Sequence, residues 1–283
     1  MRIQLHQSDL SSQEICWQSW IMTRGMAFDM WDVKESVAPG IKAITGTATH
    51  KAIERFYGDK MVGKELPPGE AKEIAEAAFR EALDRGYYIS EEDTPEEQDI
   101  IADGMTRAEK FTAMYIKSFG NIIVPEAVEQ DFVIMLDESE FGFDLTGRID
   151  LIDAMGILHD SKTSGATPPK HAARTYQSAL YAEAFKLQYG KYPEHISYDY
   201  VYFPSAKSSE PKADQRMTEV DDLLINPFYA RLKQFEAIRK ACVSGALNPL
   251  YAAPPPDRIF SWKCTKKHCP LWNKCEFWSG RAK

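Results

Sequence analysis

A chain of 283 residues can build one large core but not several, because single cores stop growing at roughly 250–300 residues. With 44% hydrophobic and 27% charged residues it reads as globular, and no apolar run nears the roughly 20 residues that span a bilayer. A net charge of −8 argues against indiscriminate nucleic-acid binding, and the start has no signal-peptide pattern, so a cytoplasmic protein is expected.

Residues 8–26 read as a helix that Ser8 or Ser11 would cap. Residues 46–61 read as a second helix, with His50, Ile53, Glu54 and Tyr57 on one face at spacings of three and four. Residues 67–86 and 94–119 predict two charged amphipathic helices joined by "SEEDTPEEQ", a helical insertion over 62–120. From residue 122 the pattern turns to short strands at 127–136, 141–153 and 156–164. A helix over 168–190 follows, with prolines at its start and glycine at its end. A strand at 195–205, a polar loop at 206–215 and a helix over 218–246 come next. This order predicts an α/β fold: a mixed central sheet with helices on its faces.

The stretch 156–164, "GILHDSKTS", ends a buried-looking strand in a carboxylate and a lysine. Side chains alternate along a strand, so Asp160 and Lys162 share a face and His159 takes the other, outside the site. A three-residue turn at 154–156 would pair Asp153 with Ile157 and set Asp150 opposite Asp160. Adjacent carboxylates stay ionised only beside positive charge, which a hard divalent ion supplies. Such an ion polarises a phosphoryl oxygen, and Lys162 would position or deprotonate water, or offset charge on the phosphate. A surface salt bridge on a hairpin is the bland alternative.

Four motifs then line up. Gly147-Arg148-Ile149-Asp150 and Asp160-Ser161-Lys162 resemble the core of the PD-(D/E)XK nucleases. Gln177–Tyr181 resembles the Q-x-x-x-Y motif of the RecB-like branch, and Gly46–His50 its upstream G-x-x-x-H helix. Their order is that of the small CRISPR-associated RecB-like exonucleases and their phage relatives. The resemblance implies a restriction-endonuclease-like core over 1–283 as a single domain. It implies Asp150, Asp160, the Ser161 backbone carbonyl and His50 as metal ligands and Lys162 as the catalytic lysine. The ion would be Mg²⁺ or Mn²⁺, with the imidazole favouring Mn²⁺. Gln177 and Tyr181 would orient the lysine or the DNA. Arg148 and Arg174 are candidate phosphate contacts; Glu54, one turn after His50, would orient that imidazole or is simply solvated, and Glu129 precedes the "GRID" strand with no assigned role.

Five cysteines, an odd number, do not suggest a disulfide framework. Cys264, Cys269 and Cys275 fall within twelve residues and suggest zinc or an iron–sulfur cluster. Cys16, Cys242 or His268 would supply a fourth ligand. The resemblance selects Cys16 and a 4Fe–4S cluster, a clasp joining residues 247–283 to the N-terminal part, with zinc as the alternative. Cys242 reads as core. Trp262, Trp272, Phe277 and Trp278 pack the clasp or stack on bases. The tail from Arg258 to Lys283 is locally basic.

The expected activity is a metal-dependent deoxyribonuclease, an exonuclease on DNA ends or single strands. Alternatives are a structure-specific endonuclease or a non-cutting DNA-binding adaptor. No Walker sequence is present, so a helicase, or a recombination or adaptation factor, would be a separate partner.

Overall fold

A computed structural model describes residues 2–90, 95–205, 207–252 and 265–275. Its centre is a mixed six-stranded sheet organised by β3 (Phe143–Asp153). Antiparallel β2 (Pro125–Ile134) lies along one edge of β3 for most of its length. Two strands share the other edge. β1 (Ile3–His6) pairs in parallel with Phe143–Thr146, and β4 (Leu158–Ser164) pairs antiparallel at Leu151 and Ile152. Residues 147–150 therefore sit in a gap between two partners. β5 (His195–Tyr202) runs parallel to β4, and β6 (Lys212–Glu219) closes the far edge.

Helices cover both faces, each by burying an apolar stripe. On one face α3 (Ile41–Met61) and α5 (Glu97–Phe119) pack Ile53, Tyr57, Tyr115 and Phe119 against Leu151 and Val201. α4 (Pro68–Asp84) completes this side through Phe79 and Ala75, packed among Ile44, Ala48 and Ala108. On the other face lie α1 (Gln7–Ile15), α2 (Trp17–Arg24), α6 (Tyr176–Tyr189) and α7 (Asp222–Val243). There Trp20, Phe28, Phe143 and Phe235 meet edge to face or tilted, with ring centroids 5.3–5.6 Å apart. Among the described residues no helix is long and apolar enough to cross a membrane.

Several boundaries differ from the sequence reading, each for a local reason. The helix expected over 8–26 breaks at Cys16, whose backbone is extended (φ −158°, ψ 101°). Its sulfur takes the Ser19 N–H at 3.5 Å and so starts α2. The first helix is capped at His6, whose N–H donates to the Asp9 carboxylate at 2.9 Å, rather than by Ser8 or Ser11. The helix expected from 168 begins only at Tyr176, because the Thr175 side chain accepts the Ser178 N–H and caps it there. Four-residue β1 was too short to show a period. β6 occupies part of the expected polar loop, since a half-buried edge strand paired along its length with β5 needs no alternating apolar face.

One buried ion pair ties α7 to the β2–β3 connection. Glu236, 3% exposed, accepts two bonds from Arg239 at 2.8 and 3.0 Å and one from the Gly142 N–H at 3.1 Å. Burial works to raise its carboxyl, yet the Arg239 guanidinium overrides it and holds it below the ordinary range. Its stabilising contribution is therefore present above the unfolded glutamate range and lost as pH falls through the depressed folded value. Glu236→Gln is expected to cost about 2 kcal/mol in urea melts at neutral pH and to flatten the acid limb of the stability profile. A variant as stable as the parent at pH 7 would refute this.

Candidate functional site

The site grows from the gap in the sheet. After Asp153 the chain turns through Ala154, Met155 and Gly156 (φ +79°), with the Asp153 N–H donating to the Ile157 carbonyl at 3.0 Å. This is the three-residue turn expected from the sequence. The ladder ends at Leu151 and His159, so the next pair in the same register is Asp150 and Asp160. The strands part here, and the Asp150 carboxylate takes up the Ser161 N–H at 3.2 Å.

α3 brings His50 to this point. Gly46, one turn earlier, passes so near β4 that a Cβ there would lie 3.3 Å from Thr163 Oγ1. That close approach sets His50 Nδ1 3.3 Å from Asp150 Oδ2 and 3.2 Å from Ser161 Oγ. Burial works to lower the His50 pKa, but its hydrogen bond to Asp150 and the charge of that carboxylate raise it. Burial likewise works against the Asp150 carboxylate, and the His50 bond and charge overcome it, leaving its pKa below the ordinary value.

On the α6 side, Gln177 is the hub. Its Nε2 donates to Asp160 Oδ1 at 3.0 Å and to Tyr181 Oη at 2.8 Å. Its Oε1 accepts from Lys162 Nζ at 3.0 Å and from Tyr198 Oη at 3.3 Å. Lys162 Nζ also lies 2.5 Å from Asp160 Oδ2 and 5.1 Å from the centre of the Tyr198 ring. Burial pushes the Asp160 carboxyl up to about 6, although Lys162 pulls the other way. Burial works to lower the Lys162 pKa, but Asp160 reverses this and keeps the lysine firmly protonated. That direction favours the ammonium form at 162, which suits it to offsetting negative charge.

Gly147 tunes the same cluster. A Cβ there would meet the Phe132 ring at 2.6 Å, and that ring packs edge-on against Tyr181 at 6.2 Å. A side chain at 147 would push Phe132 toward the tyrosine that bonds Gln177.

The structure brings His50, Asp150, Asp160, Ser161, Lys162, Gln177 and Tyr181 together through these contacts. It does not bring the two arginines to them. Arg148 is held by Asp131 at 2.6 and 3.1 Å and by Glu129 at 3.3 Å, and Arg174 pairs with Asp221, the N-cap of α7. His159 lies on the opposite face, bracketed by Asp199 at 2.8 Å and Asp153 at 3.4 Å. Tyr198 was missed. It stands beside Asp160 only because β5 pairs in parallel with β4 at that register, which no local pattern announces. Glu129 adopts φ +51° in mid-strand, at the β2 position that the register sets against Asp150. Burial, Asp150 and Glu54 together raise its carboxyl. Such a backbone is costly for a residue with a Cβ and tends to mark functional sites.

Among the described residues no three His, Cys, Asp or Glu side chains already converge as a ready-made metal cage. The chemistry of the donors nevertheless fits a hard divalent ion: two carboxylates, of which Asp160 feels the charge of Asp150, an imidazole and backbone oxygen. Asp160 Oδ2 supports the fit, being buried with no hydrogen-bonding partner beyond its ion pair with Lys162.

Of the cysteine set, Cys264 lies outside the described residues, as do Trp262, Phe277 and Trp278. Cys275 is buried and shares a cavity of about 160 Å³ with Gln18 of α2, two residues from Cys16. Cys269 is half-buried, and Cys242 is buried in the main core.

The sequence profile described as the PD-(D/E)XK nuclease superfamily matches residues 4–276. No protein of curated function matches the chain. Among solved structures, a "Putative exonuclease" from Eubacterium rectale is 12% identical, with a TM-score of 0.49 over 87% of this chain and 83% of that one. The protein SSO0001 is 15% identical, with a TM-score of 0.32 over 87% of this chain and 89% of that one.

Proposed function

The chain belongs to the PD-(D/E)XK nuclease superfamily, and from that premise we propose that it is a metal-dependent deoxyribonuclease of the RecB-like type, acting as an exonuclease on DNA ends or single strands. The observation that carries this reading is the Gln177 hub, which ties Lys162 and Asp160 into one unit beside Asp150 and His50. Asp150, Asp160, the Ser161 carbonyl and His50 would hold Mg²⁺ or Mn²⁺, which when bound supplies Lewis-acid polarisation of the scissile phosphate. Lys162 offsets the charge that develops on the phosphate, and Asp160 and Gln177 keep its Nζ on station. Tyr181 and Tyr198 restrain Gln177 from either side. The test is cleavage of labelled linear and circular DNA, single- and double-stranded, with Mn²⁺. An exonuclease degrades only the linear forms; cleavage of circles would make it an endonuclease, and cleavage of neither would leave a non-cutting DNA-binding protein.

We read the cysteines as a 4Fe–4S clasp of Cys16, Cys264, Cys269 and Cys275 joining 247–283 to the N-terminal part, with zinc as the alternative. The cavity shared by Gln18 and Cys275 supports it, since it sets the late segment against the helix that Cys16 begins. Purified anaerobically, the protein is expected to be brown, with broad visible absorption that Cys16→Ser removes. A colourless, zinc-loaded and active preparation would overturn the iron assignment.

A further inference from the structure

The face of β4 that carries Asp160 and Lys162 continues onto β5. The parallel register sets Tyr198 beside Asp160 and Tyr200 beside Lys162, so two tyrosines stand in a row next to the carboxylate and the ammonium. Their ring centres are 6.3 Å apart. The first is already engaged: Tyr198 Oη is tied to Gln177, Ser178 and Thr175. Tyr181 Oη likewise takes the Gln177 Nε2. Tyr200 differs from both. Its ring is half-buried and packs against the main core, yet its hydroxyl has no hydrogen-bonding partner among the described residues.

The neighbouring cations are occupied. Lys162 Nζ is directed at Asp160, Gln177 and the Tyr198 ring. On β6, Arg216 pairs at 2.6 Å with Asp214, the residue directly across from Tyr200. Arg148 and Arg174 are held by carboxylates away from the cluster. Burial raises the Tyr200 phenol and Asp160 adds to this, while Lys162 and Arg216 work the other way, so the group stays an O–H donor. The site thus offers an ammonium for the reacting phosphate and, one strand over, an unengaged hydroxyl on an anchored ring. Tyrosine hydroxyls are among the donors that position a nucleic-acid backbone through its phosphate oxygens.

We propose that Tyr200 touches the substrate: its hydroxyl donates to a non-bridging oxygen of a phosphate adjoining the scissile one and so fixes the register of the strand against Lys162. The inference rests on the nuclease reading and deepens it.

The test compares the full-length parent with Tyr200→Phe, which removes the hydroxyl and keeps the ring, in Mn²⁺-dependent degradation of labelled linear oligonucleotides, single- and double-stranded. Each oligonucleotide is either unmodified or carries one methylphosphonate, walked inward linkage by linkage from either end. On unmodified DNA Tyr200→Phe is expected to raise KM about tenfold, the order for one hydrogen bond to a charged group, with kcat within about twofold of the parent. At one linkage the methylphosphonate should slow the parent yet slow Tyr200→Phe little further, because both changes remove the same contact. Melting temperatures of the two proteins should agree, since the hydroxyl has no internal partner to lose. Equal KM values, or losses that multiply at every linkage, overturn the contact while leaving the nuclease reading in place. A raised KM accompanied by a lowered melting temperature and no sensitive linkage shows a packing role and overturns it too. A parent that degrades none of the oligonucleotides overturns the nuclease reading as well.

Discussion

Lys162→Ala is expected to reduce Mn²⁺-dependent DNA degradation by about 10³-fold or more, the scale of losing a preorganised charge beside a developing oxyanion. The magnitude follows from two losses at once. The Nζ that lies 2.5 Å from Asp160 disappears, and Asp160, already pushed up to about 6 by burial, loses the charge that restrains it. Lys162→Arg does not rescue, because Gln177 and Asp160 hold a compact ammonium rather than a planar fork. Far-UV circular dichroism and gel filtration should match the parent, since Lys162 closes no part of the main core. Degradation within tenfold of the parent would remove Lys162 from the chemistry.

The second large effect concerns stability and lies on the other face of the sheet. Asp199 is fully buried, with His159 Nδ1 2.8 Å away, and accepts from Tyr115 at 3.1 Å, Ser197 at 2.7 Å and Gln215 at 2.9 Å. Removing it strands an imidazole and three other donors without their acceptor. Asp199→Ala should cost about 3–5 kcal/mol, the range for breaking a buried charged network, and lower Tm by roughly 10 °C. Burial works to lower the His159 pKa, but Asp199 and Asp153 raise it. A raised histidine contributes its full stabilisation below the unfolded value, near 6.5, and loses it as pH rises through the folded value. The parent should therefore lose stability as pH climbs above that range, and Asp199→Asn should flatten this slope. Equal slopes in the two proteins would show that the His159–Asp199 pair does not control it.

Much of the candidate site was legible because its parts are local or periodic. Asp160 and Lys162 share a face by strand alternation, Gln177 and Tyr181 by one helical turn, and the Gly156 turn fixes which residues meet across the hairpin. Pairing between strands distant in sequence hid the rest. Tyr198 joins the cluster through the register of β4 with β5, set by tertiary packing rather than by a turn. Glu129 was visible as an acid near the "GRID" strand, yet its placement against Asp150 depends on how β2 aligns with β3. The mixed sheet and its flanking helices were readable, but β1 was not, being only four residues long, and neither was β6, a polar edge strand with no buried alternating face. Arg148 reads as a phosphate ligand in sequence because its partners Asp131 and Glu129 lie on another strand.

The most direct test of the proposed chemistry is anomalous diffraction from crystals of the full chain grown with Mn²⁺. In data collected above the manganese absorption edge and below the iron edge, a single strong manganese peak touching both the Asp150 and Asp160 carboxylates, with His50 beside it, is the predicted result, and Asp150→Asn should abolish it. A manganese peak elsewhere in the molecule and none at these carboxylates, in crystals of protein that digests DNA, would contradict the account.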